Sequence, residues 1–484
     1  MAPDRHVIAI VGAGFCGTVM AVRLLQQTAA ARLDIALINR PSSGGVAKHS
    51  RSMARGLAYG TNSADHLLNV PAGRMSAFDE IPHDFEDYLE ENGQPSAGGS
   101  FVARHFYGNY LQARLKSAMQ AAAATPGGPT LATHHATVTA LTRRTDGRFS
   151  LTLVHETGEE TIVADRVVLA LGNFLPANPT IANPGLYQVA EYLRDPWQDD
   201  GLAKLNIRKP ILLIGSGLTM FDVAMSLKHR ASLTDKPLEL VAISRRGLLP
   251  QPHRTHLQTP DFLNAPPDIG RLPTARHYLK SVRRQVRNVV AEGGDWRDVV
   301  ASLRPLTPQL WSALSITERQ RFFRHLRPYW ESHRHRAAPQ AATIVSGMLA
   351  SGELRVQPAN LVNLQQSDTG IVATIRERGS SDLTLIHVGG VINCTGPTSN
   401  LHAEPLLADL QKDGNISADP LGIGLNVAED YRVLNCAGLP WDGVYYVGPL
   451  LKAQRWEATA VPELRVHVAA TAAAVCNSLA TRSD

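Results

Sequence analysis

Two glycine-rich turns, each set between an apolar run and a helical pattern, constrain the fold of this chain more than any other feature. In the first, the largely apolar run 6–11 predicts a buried strand, and Gly12, Gly14 and Gly17 follow it directly. A helical pattern and a second apolar strand, 34–38, come next. This order predicts a parallel β-α-β unit, because parallel strands need a crossover helix between them.

The same arrangement recurs around Gly215 and Gly217, with Met220 at the position of the third glycine. Without a Cβ at such a turn, a pyrophosphate can approach the backbone, and the free N–H groups of the following helix point towards its phosphates. The two units therefore predict two Rossmann-like domains, each binding a dinucleotide. The alternative is that the glycines serve only the packing of helix against strand.

The residue that ends the next strand bears on which dinucleotide is bound. An acidic side chain is expected there to bind the ribose, but Asn39 occupies this position in the first unit, and Arg40 beside it would suit a 2′-phosphate. In the second unit, Arg245 and Arg246 follow the strand. Paired guanidinium groups suit the 2′-phosphate of NADPH, and the alternative is two solvated arginines at a strand end.

Further motifs are spread over nearly the whole chain. Besides the two turns, they are the stretch 56–59 (Gly-Leu-Ala-Tyr), the stretch 66–76 (His-Leu-Leu-Asn-Val-Pro-Ala-Gly-Arg-Met-Ser) and the segment 448–450 (Gly-Pro-Leu). Together these motifs resemble those of bacterial FAD/NAD(P)-binding proteins related to the class B flavin monooxygenases of the N-hydroxylating type. The resemblance implies FAD in the first unit and NADPH in the second.

The resemblance also implies roles for particular residues. The stretch that would lie against the flavin contains Asn69, Val70, Pro71, Met75 and Ser76. By the same resemblance, Gly172 and Gly396 match turns that end the strands joining the two domains, and Gly448 matches a late segment that closes over the flavin.

The activity implied by this resemblance is a monooxygenase reaction. NADPH would reduce FAD, and the reduced flavin would capture dioxygen as a C4a-hydroperoxide that hydroxylates a nitrogen or sulfur of a small substrate. Oxygenation of ketones is not expected, because the Phe-x-Gly-x-x-x-His fingerprint of that chemistry is missing after Leu171. No catalytic side chain is predicted, since the cofactor carries the chemistry. An NADPH-dependent flavin reductase with another acceptor and a non-catalytic flavin-binding sensor stay open as alternatives.

The length of 484 residues predicts two or three domains, since one core rarely organises so long a chain. Strand patterns lie between the two turns and again late in the chain, at 361–364, 370–376, 384–387 and 390–393. In contrast, 274–351 has helical patterns and no strand pattern. We predict an α/β fold with a discontinuous FAD-binding domain, 1–180 and 352–484, and an NADPH-binding domain, 181–351, that carries this helical insertion.

An arginine-rich segment, 319–336, holds six arginines and three histidines around a single acid, Glu331. We expect Arg327 and Arg334 to bind an anionic substrate, such as an amino-acid carboxylate, because the planar guanidinium donates two parallel hydrogen bonds. A solvated helix face, or a contact with nucleic acid or protein, is the alternative. The histidines are not expected to bind a metal, since the surrounding arginines repel cations.

Composition argues against several other classes. No apolar run approaches the roughly 20 residues of a membrane helix, and a formal net charge of +5 is too small to indicate a nucleic-acid partner. The four cysteines lack Cys-x-x-Cys spacing, so neither a disulfide framework nor a zinc site is indicated. The start of the chain has no signal-peptide pattern, which predicts a cytoplasmic protein. Substrate identity and oligomeric state stay open.

Overall fold

The computed structural model describes residues 5–27, 32–41, 53–94, 97–198, 200–233, 237–255, 265–368 and 370–480. The strands of the first half are β1 His6–Val11, β2 Leu33–Asn39, β3 Thr130–His135, β4 Thr137–Arg143, β5 Phe149–His155, β6 Gly158–Ala164, β7 Arg166–Leu169, β8 Tyr192–Leu193, β9 Ile211–Ile214 and β10 Leu240–Ser244. Those of the second half are β11 Leu354–Ser367, β12 Gly370–Glu377, β13 Leu383–Val388, β14 Gly390–Asn393, β15 Arg432–Leu434 and β16 Pro440–Tyr446.

The helices follow the same numbering. Those before β10 are α1 Phe15–Leu25, α2 Gly56–Tyr59, α3 Asp84–Glu91, α4 Arg104–Ala123, α5 Gly201–Lys204 and α6 Leu218–Ser232. Those after β10 are α7 Ala275–Ala291, α8 Trp296–Ser302, α9 Thr307–Ala313, α10 Ile316–His325, α11 Arg327–Arg334, α12 Pro339–Ser351, α13 Pro405–Lys412 and α14 Val461–Ala480. Helices α7 to α12 all lie between β10 and β11, so the predicted helical insertion is confirmed.

The chain divides into two compact units. Unit 1 comprises Met1–Asn62, Pro71–Phe174 and Ser399–Asp484, and unit 2 comprises Ser63–Val70 and Leu175–Thr398. Each unit contains one of the two glycine turns and one sheet built around the strand that precedes it. The predicted α/β fold with two Rossmann-like domains is therefore confirmed.

Unit 1 is built on a six-stranded sheet with the order β15-β16-β7-β1-β2-β3. All neighbouring strands from β16 to β3 are parallel, and only β15 is antiparallel. Strands β1 and β7 are almost wholly buried, as expected for parallel strands covered on both faces. Helix α1 packs against β2, α4 and α14, and β4, β5 and β6 form a separate antiparallel sheet.

Unit 2 is built on a seven-stranded sheet with the order β13-β12-β11-β10-β9-β14-β8. Strand β11 continues the parallel sheet beside β10 over its first residues and then pairs antiparallel with β12. Side chains from β9, β10, β11, β12 and β14 share one buried core. In each sheet, the strand that precedes the glycine turn, β1 or β9, therefore lies between the strand that follows it and one reached much later in the chain.

The predicted domain bounds differ from this division. Residues 63–70, 175–180 and 352–398 were expected in the FAD-binding domain, but the structure places them in unit 2, and 352–398 is the longest of these segments. The reason is hydrogen bonding: β11 pairs with β10, and β14 pairs with both β9 and β8. A buried parallel strand has the same apolar pattern in either sheet, so the pattern did not show which sheet these strands join.

Gly17 of α1 provides a test of how closely helix and turn are packed. A Cβ there would lie only 1.8 Å from the carbonyl oxygen of Gly12. We expect Gly17→Ala to lower the free energy of unfolding by about 3 kcal/mol or more, because the helix must move away from the turn. Urea denaturation followed by circular dichroism measures the change.

The matched control is Gly347→Ala, which adds the same methyl group to an exposed position of α12 with no atom within 4 Å. This variant should gain about 0.5–1 kcal/mol, since alanine is the better helix former. Equal stabilities of the two variants would contradict the close packing at Gly17.

Candidate functional site

The glycine turn of unit 1 is held between three strand ends. Gly12 has a φ of +109°, and a Cβ there would lie 2.6 Å from the carbonyl oxygen of Ala170, at the end of β7. The Gly12 N–H donates to the carbonyl of Ile38 at 2.8 Å, and the Ala170 N–H donates to that of Val11 at 2.9 Å. The turn therefore lies at the carboxyl edge of the sheet, where the strand order reverses and ligands bind in folds of this kind.

Space for a ligand opens at the second glycine of this turn. Gly14 is the N-cap of α1, and among the described residues only the Cα of Gly56, at 3.9 Å, lies within 4 Å of where a Cβ of Gly14 would stand. The first turn of α1, which the structure describes completely, has no acidic residue. An open space at the N-terminus of a helix fits a pyrophosphate, whose charge the helix dipole favours.

The stretch 56–59 packs on the same turn. The Ala54 N–H donates to the carbonyl of Ala13 at 3.0 Å, and Gly56 adopts a φ of +57° that brings its Cα close to Gly14. The guanidinium of Arg55 bonds to the side chains of Asn109 and Gln112 on α4. The motif that the sequence analysis singled out thus forms one wall of the space at the turn.

The stretch 66–76 is divided between the two units. Asn69 and Val70 belong to unit 2, and Pro71, Met75 and Ser76 belong to unit 1. Met75 and Ser76 are buried, and the Ser76 hydroxyl lies 2.6 Å from the carbonyl oxygen of Ile81. The placement of these five residues against a flavin stays a prediction.

Asn39 ends β2 as the sequence predicts. Its neighbour Arg40, which was expected to suit a 2′-phosphate, is already bound to another side chain. The Arg40 guanidinium forms an ion pair with Glu404, whose side chain is buried at the start of α13. Because this carboxylate compensates the charge, Arg40 is a poor candidate for binding a 2′-phosphate. Of these two residues, Asn39 stays the one predicted to bind the ribose.

The turn of unit 2 repeats the geometry of the first. Gly215 has a φ of +113°, and a Cβ there would lie 2.5 Å from the carbonyl oxygen of Cys394, at the end of β14. Its N–H donates to the carbonyl of Ile243 at 2.8 Å, as Gly12 does to the equivalent strand. No described atom lies within 4 Å of where a Cβ of Gly217 would stand. Met220, in place of the third glycine, is fully buried.

The two arginines after β10 differ in their surroundings. Arg246 donates to the hydroxyl of Tyr329 at 3.2 Å and to the carbonyl of Arg324 at 3.0 Å, and its guanidinium lies over the Tyr329 ring. Arg245 is exposed and makes no hydrogen bond or ion pair with the described part of the chain. Of the predicted pair, only Arg245 has a guanidinium that makes no hydrogen bond or ion pair with the described residues.

The three later glycines lie at strand ends. Gly172 follows β7 in unit 1, and Gly396 follows β14 in unit 2 with a φ of +80°. Gly448 is buried after β16 with a φ of +150°, and a Cβ there would lie 2.7 Å from the Tyr446 hydroxyl. That hydroxyl donates to the carbonyl of Leu171 at 3.0 Å, which ties the 448–450 segment to the end of β7.

The arginine-rich segment is two helices rather than one. It breaks at Leu326, between α10 and α11, so the side chains expected on a single helix face do not share one. Arg327 bonds to Glu331 at 2.7 Å, and Arg321 pairs with Glu318. The predicted role of Arg327 and Arg334 in binding an anionic substrate stays a prediction, and Arg327 already has a carboxylate partner.

Sequence reasoning missed the loop that follows β10, because it contains no recognised motif. His253 in this loop donates from Nε2 to the carbonyl of Asn69 at 3.1 Å. Burial, together with the nearby charges of Arg336, Arg334 and Arg297, lowers the pKa of His253 to about 3, so the imidazole is neutral at pH 7. Among the described residues, no group of three potential ligands is arranged to hold a metal ion.

Comparison with known proteins agrees with this architecture. Residues 9–174 match the family model described as FAD-NAD(P)-binding. Two uncharacterized proteins, from Mycobacterium tuberculosis and Mycobacterium bovis, are each 20% identical to the chain over 352 residues, which cover 66% of it. The chain spans 63% of the length of these relatives.

Solved structures of three enzymes share the fold. The reduced form of ornithine hydroxylase from Pseudomonas aeruginosa has a TM-score of 0.65 at 15% identity, covering 98% of this chain and 100% of its own. L-lysine 6-monooxygenase from Pseudomonas syringae has a TM-score of 0.63 at 17% identity, and the match again covers 98% of this chain and 100% of that enzyme's chain. The FAD-bound cadaverine monooxygenase of the desferrioxamine pathway from Erwinia amylovora has a TM-score of 0.65 at 11% identity, and the match covers 98% of this chain and 95% of that enzyme's chain.

A membrane-spanning helix needs a long, apolar sequence, and none of the helices in the described ranges meets this requirement.

Proposed function

We propose that this protein is an FAD-dependent, NADPH-consuming monooxygenase that hydroxylates a nitrogen of a small substrate. The observation that carries the proposal is the repeated turn: each unit holds a glycine turn of the same geometry, and no described atom lies closer than 3.9 Å to where a Cβ of its second glycine would stand. The family model over residues 9–174 supports a dinucleotide in unit 1. The fold shared with enzymes that act on ornithine, lysine and cadaverine favours nitrogen over sulfur.

Unit 1 would hold the FAD. The backbone of Gly12, Gly14 and Gly17 leaves room for the pyrophosphate, the N-terminus of α1 faces it, and Asn39 would accept a hydrogen bond from a ribose hydroxyl. We assign Met75 and Ser76 to the wall beside the flavin, because both are buried in a rigidly bonded turn. Bound FAD would supply the transfer of electrons to dioxygen and the oxygenation of the substrate.

Unit 2 would hold the NADPH. Gly215 and Gly217 repeat the phosphate-binding geometry, and the exposed guanidinium of Arg245 would bind the 2′-phosphate. Asn69 and Val70, at the edge of this unit, are the residues of the 66–76 stretch that connect to the loop with His253. Consumption of NADPH fits the cytoplasmic location that we propose for the protein.

The protein's own contribution is positioning. Backbone N–H groups at the two helix N-termini bind phosphates, buried turns such as 447–451 keep water from the reacting group, and charged side chains select the substrate. No side chain is assigned a proton-transfer step, since the geometry points to none. This division of labour is typical of enzymes whose cofactor carries the chemistry.

The two turns can be tested against each other. Gly14→Val places a branched side chain in the proposed pyrophosphate space, and its Cβ would lie no closer than 3.9 Å to the described residues, so we expect the variant to fold and to lose at least about nine-tenths of its FAD. Gly217→Val should keep its FAD and lose NADPH binding instead. Flavin absorbance per mole of protein and fluorescence titration with NADPH measure both effects. A folded Gly14→Val protein with full flavin occupancy would refute the assignment of FAD to this turn.

Nucleotide preference tests Arg245. Because a charge-assisted hydrogen bond contributes roughly 1.5–3 kcal/mol, Arg245→Ala should lower the ratio of kcat/KM for NADPH over NADH by about 10- to 100-fold. Arg246→Ala is the matched control, since this guanidinium already bonds to Tyr329 and Arg324. It should reduce stability and leave the ratio within about twofold. An unchanged ratio in Arg245→Ala would exclude this residue as the 2′-phosphate ligand.

Oxygen dependence tests the activity itself. The purified holoenzyme should oxidise NADPH faster when a suitable primary amine is added, consume oxygen and form a hydroxylamine. A panel of diamines and basic amino acids, with oxygen uptake and product mass measured together, is the direct assay. Anaerobic NADPH oxidation with an added dye and no hydroxylamine in air would identify a reductase. Bound FAD without any turnover would identify a sensor.

A further inference from the structure

A half-buried arginine, whose Nε has no hydrogen-bond partner among the described residues, stands out in unit 2. Arg336 lies just after α11, and its Nε is buried without a hydrogen-bond partner. The guanidinium also makes no ion pair within the part of the chain that the structure describes. Burying part of a charged group without an opposite charge or a hydrogen-bond acceptor lowers the stability of the folded protein. An anion bound at this position would therefore be stabilising.

The backbone around Arg336 is held rigidly. The segment 251–253 runs beside 332–337: the Gln251 N–H donates to the carbonyl of Ser332 at 2.8 Å, and the Ala337 N–H donates to that of Gln251 at 3.0 Å. A third bond joins the His253 N–H to the carbonyl of Ala337 at 2.9 Å. Arg336 is therefore positioned by its neighbours on both sides and is not a frayed end of α11.

The acids near Arg336 are already engaged by other arginines. Arg254 makes two hydrogen bonds to Asp298, at 2.8 and 2.6 Å, and one to Asp295 at 3.2 Å. Arg297 bonds to Asp295 at 3.0 Å and to the carbonyl of Pro252 at 3.0 Å. Both carboxylates thus have guanidinium partners, and neither bonds to Arg336.

The local field around Arg336 is positive. Burial, and then the charges of Arg334, Arg297 and Arg254, lower the pKa of Arg336 to about 10, with Asp295 acting in the opposite direction. The neighbouring His253 is neutral at pH 7, for the reasons given above, and adds no charge. Positive charges therefore outnumber the one opposing carboxylate around Arg336, which favours the approach of an anion.

We propose that Arg336 binds an oxyanion group, carboxylate or phosphate, of a small ligand, with Arg334 and Arg297 adding to the attraction. That the ligand is the substrate rests on the proposed function, and the binding of an anion does not. In this role Arg336 takes the place that the sequence assigned to Arg327, whose guanidinium is paired with Glu331. His253, which bonds to the carbonyl of Asn69, connects the cluster to the 66–76 stretch.

The test uses the full-length holoprotein with inorganic phosphate and acetate as probes. Thermal unfolding in Hepes at pH 7.5 should shift upwards with one or both anions, because binding to the folded state stabilises it by mass action. In Arg336→Leu the shift should disappear and the affinity should fall by about tenfold or more. The variant's melting temperature without anion should equal or exceed that of the wild type, because a buried charge without a partner has been removed.

Two controls locate the site. Arg283→Gln removes one charge from an exposed position on α7 and should leave the anion response unchanged. Arg245→Ala removes the guanidinium proposed for the 2′-phosphate, so an anion response that persists in this variant and is lost in Arg336→Leu belongs to the Arg336 cluster. A response lost in Arg245→Ala, but kept in Arg336→Leu, would place the anion elsewhere and overturn the proposal. A preference for phosphate or for acetate identifies the group that the ligand carries.

Further outcomes decide the remaining cases. No shift with either anion in the wild-type protein would overturn the proposal, as would an equal shift in Arg336→Leu. If Arg336→Leu fails to fold, Arg336→Lys decides: an ammonium cannot donate two parallel bonds, so affinity should fall by about threefold or more. An unchanged affinity in this variant overturns the proposal. Flavin content and NADPH oxidation of the same preparations test the proposed function independently of anion binding.

Discussion

The close approach of a strand-end carbonyl oxygen to a glycine is the contact on which both units depend. A Cβ at Gly12 would lie 2.6 Å from the oxygen of Ala170, and one at Gly215 would lie 2.5 Å from that of Cys394. Any side chain at either position would push apart the two neighbouring strands. The missing Cβ at each of these glycines therefore permits the strand pairing on which each sheet is built.

The arginines discussed above fall into two groups, according to whether their guanidinium groups have partners in the protein. Arg40, Arg246 and Arg327 have partners within their own unit, so their charges contribute to the structure. Arg245 is exposed and has no partner among the described residues, whereas Arg336 is half-buried and its buried Nε has no hydrogen-bond partner there. Exposure suits the proposed binding of a cofactor phosphate by Arg245, and partial burial suits the proposed binding at Arg336 of a ligand group that replaces lost hydration.

Much of the fold could be predicted because buried parallel strands are continuous apolar runs. β1 and β14 coincide with their predicted runs for this reason. β11 was predicted only at 361–364, although it extends over Leu354–Ser367. The rest of this strand alternates exposed and partly buried residues, and its polar side chains resemble those of a loop. A single solvated helix face was one alternative for 319–336, but the structure breaks this segment at Leu326, shortly before Pro328 in the first turn of α11.

The sequence by itself determined the two glycine turns, the strands and helices beside them, and hence the α/β class, because these features depend on residues close together in the chain. Only the tertiary structure decided that 352–398 joins the sheet of unit 2, since strand pairing is set by hydrogen bonds between distant segments. It also decided which arginines are paired. Arg40 forms an ion pair with Glu404, which lies far from it in the sequence, and such a contact leaves no local sequence pattern.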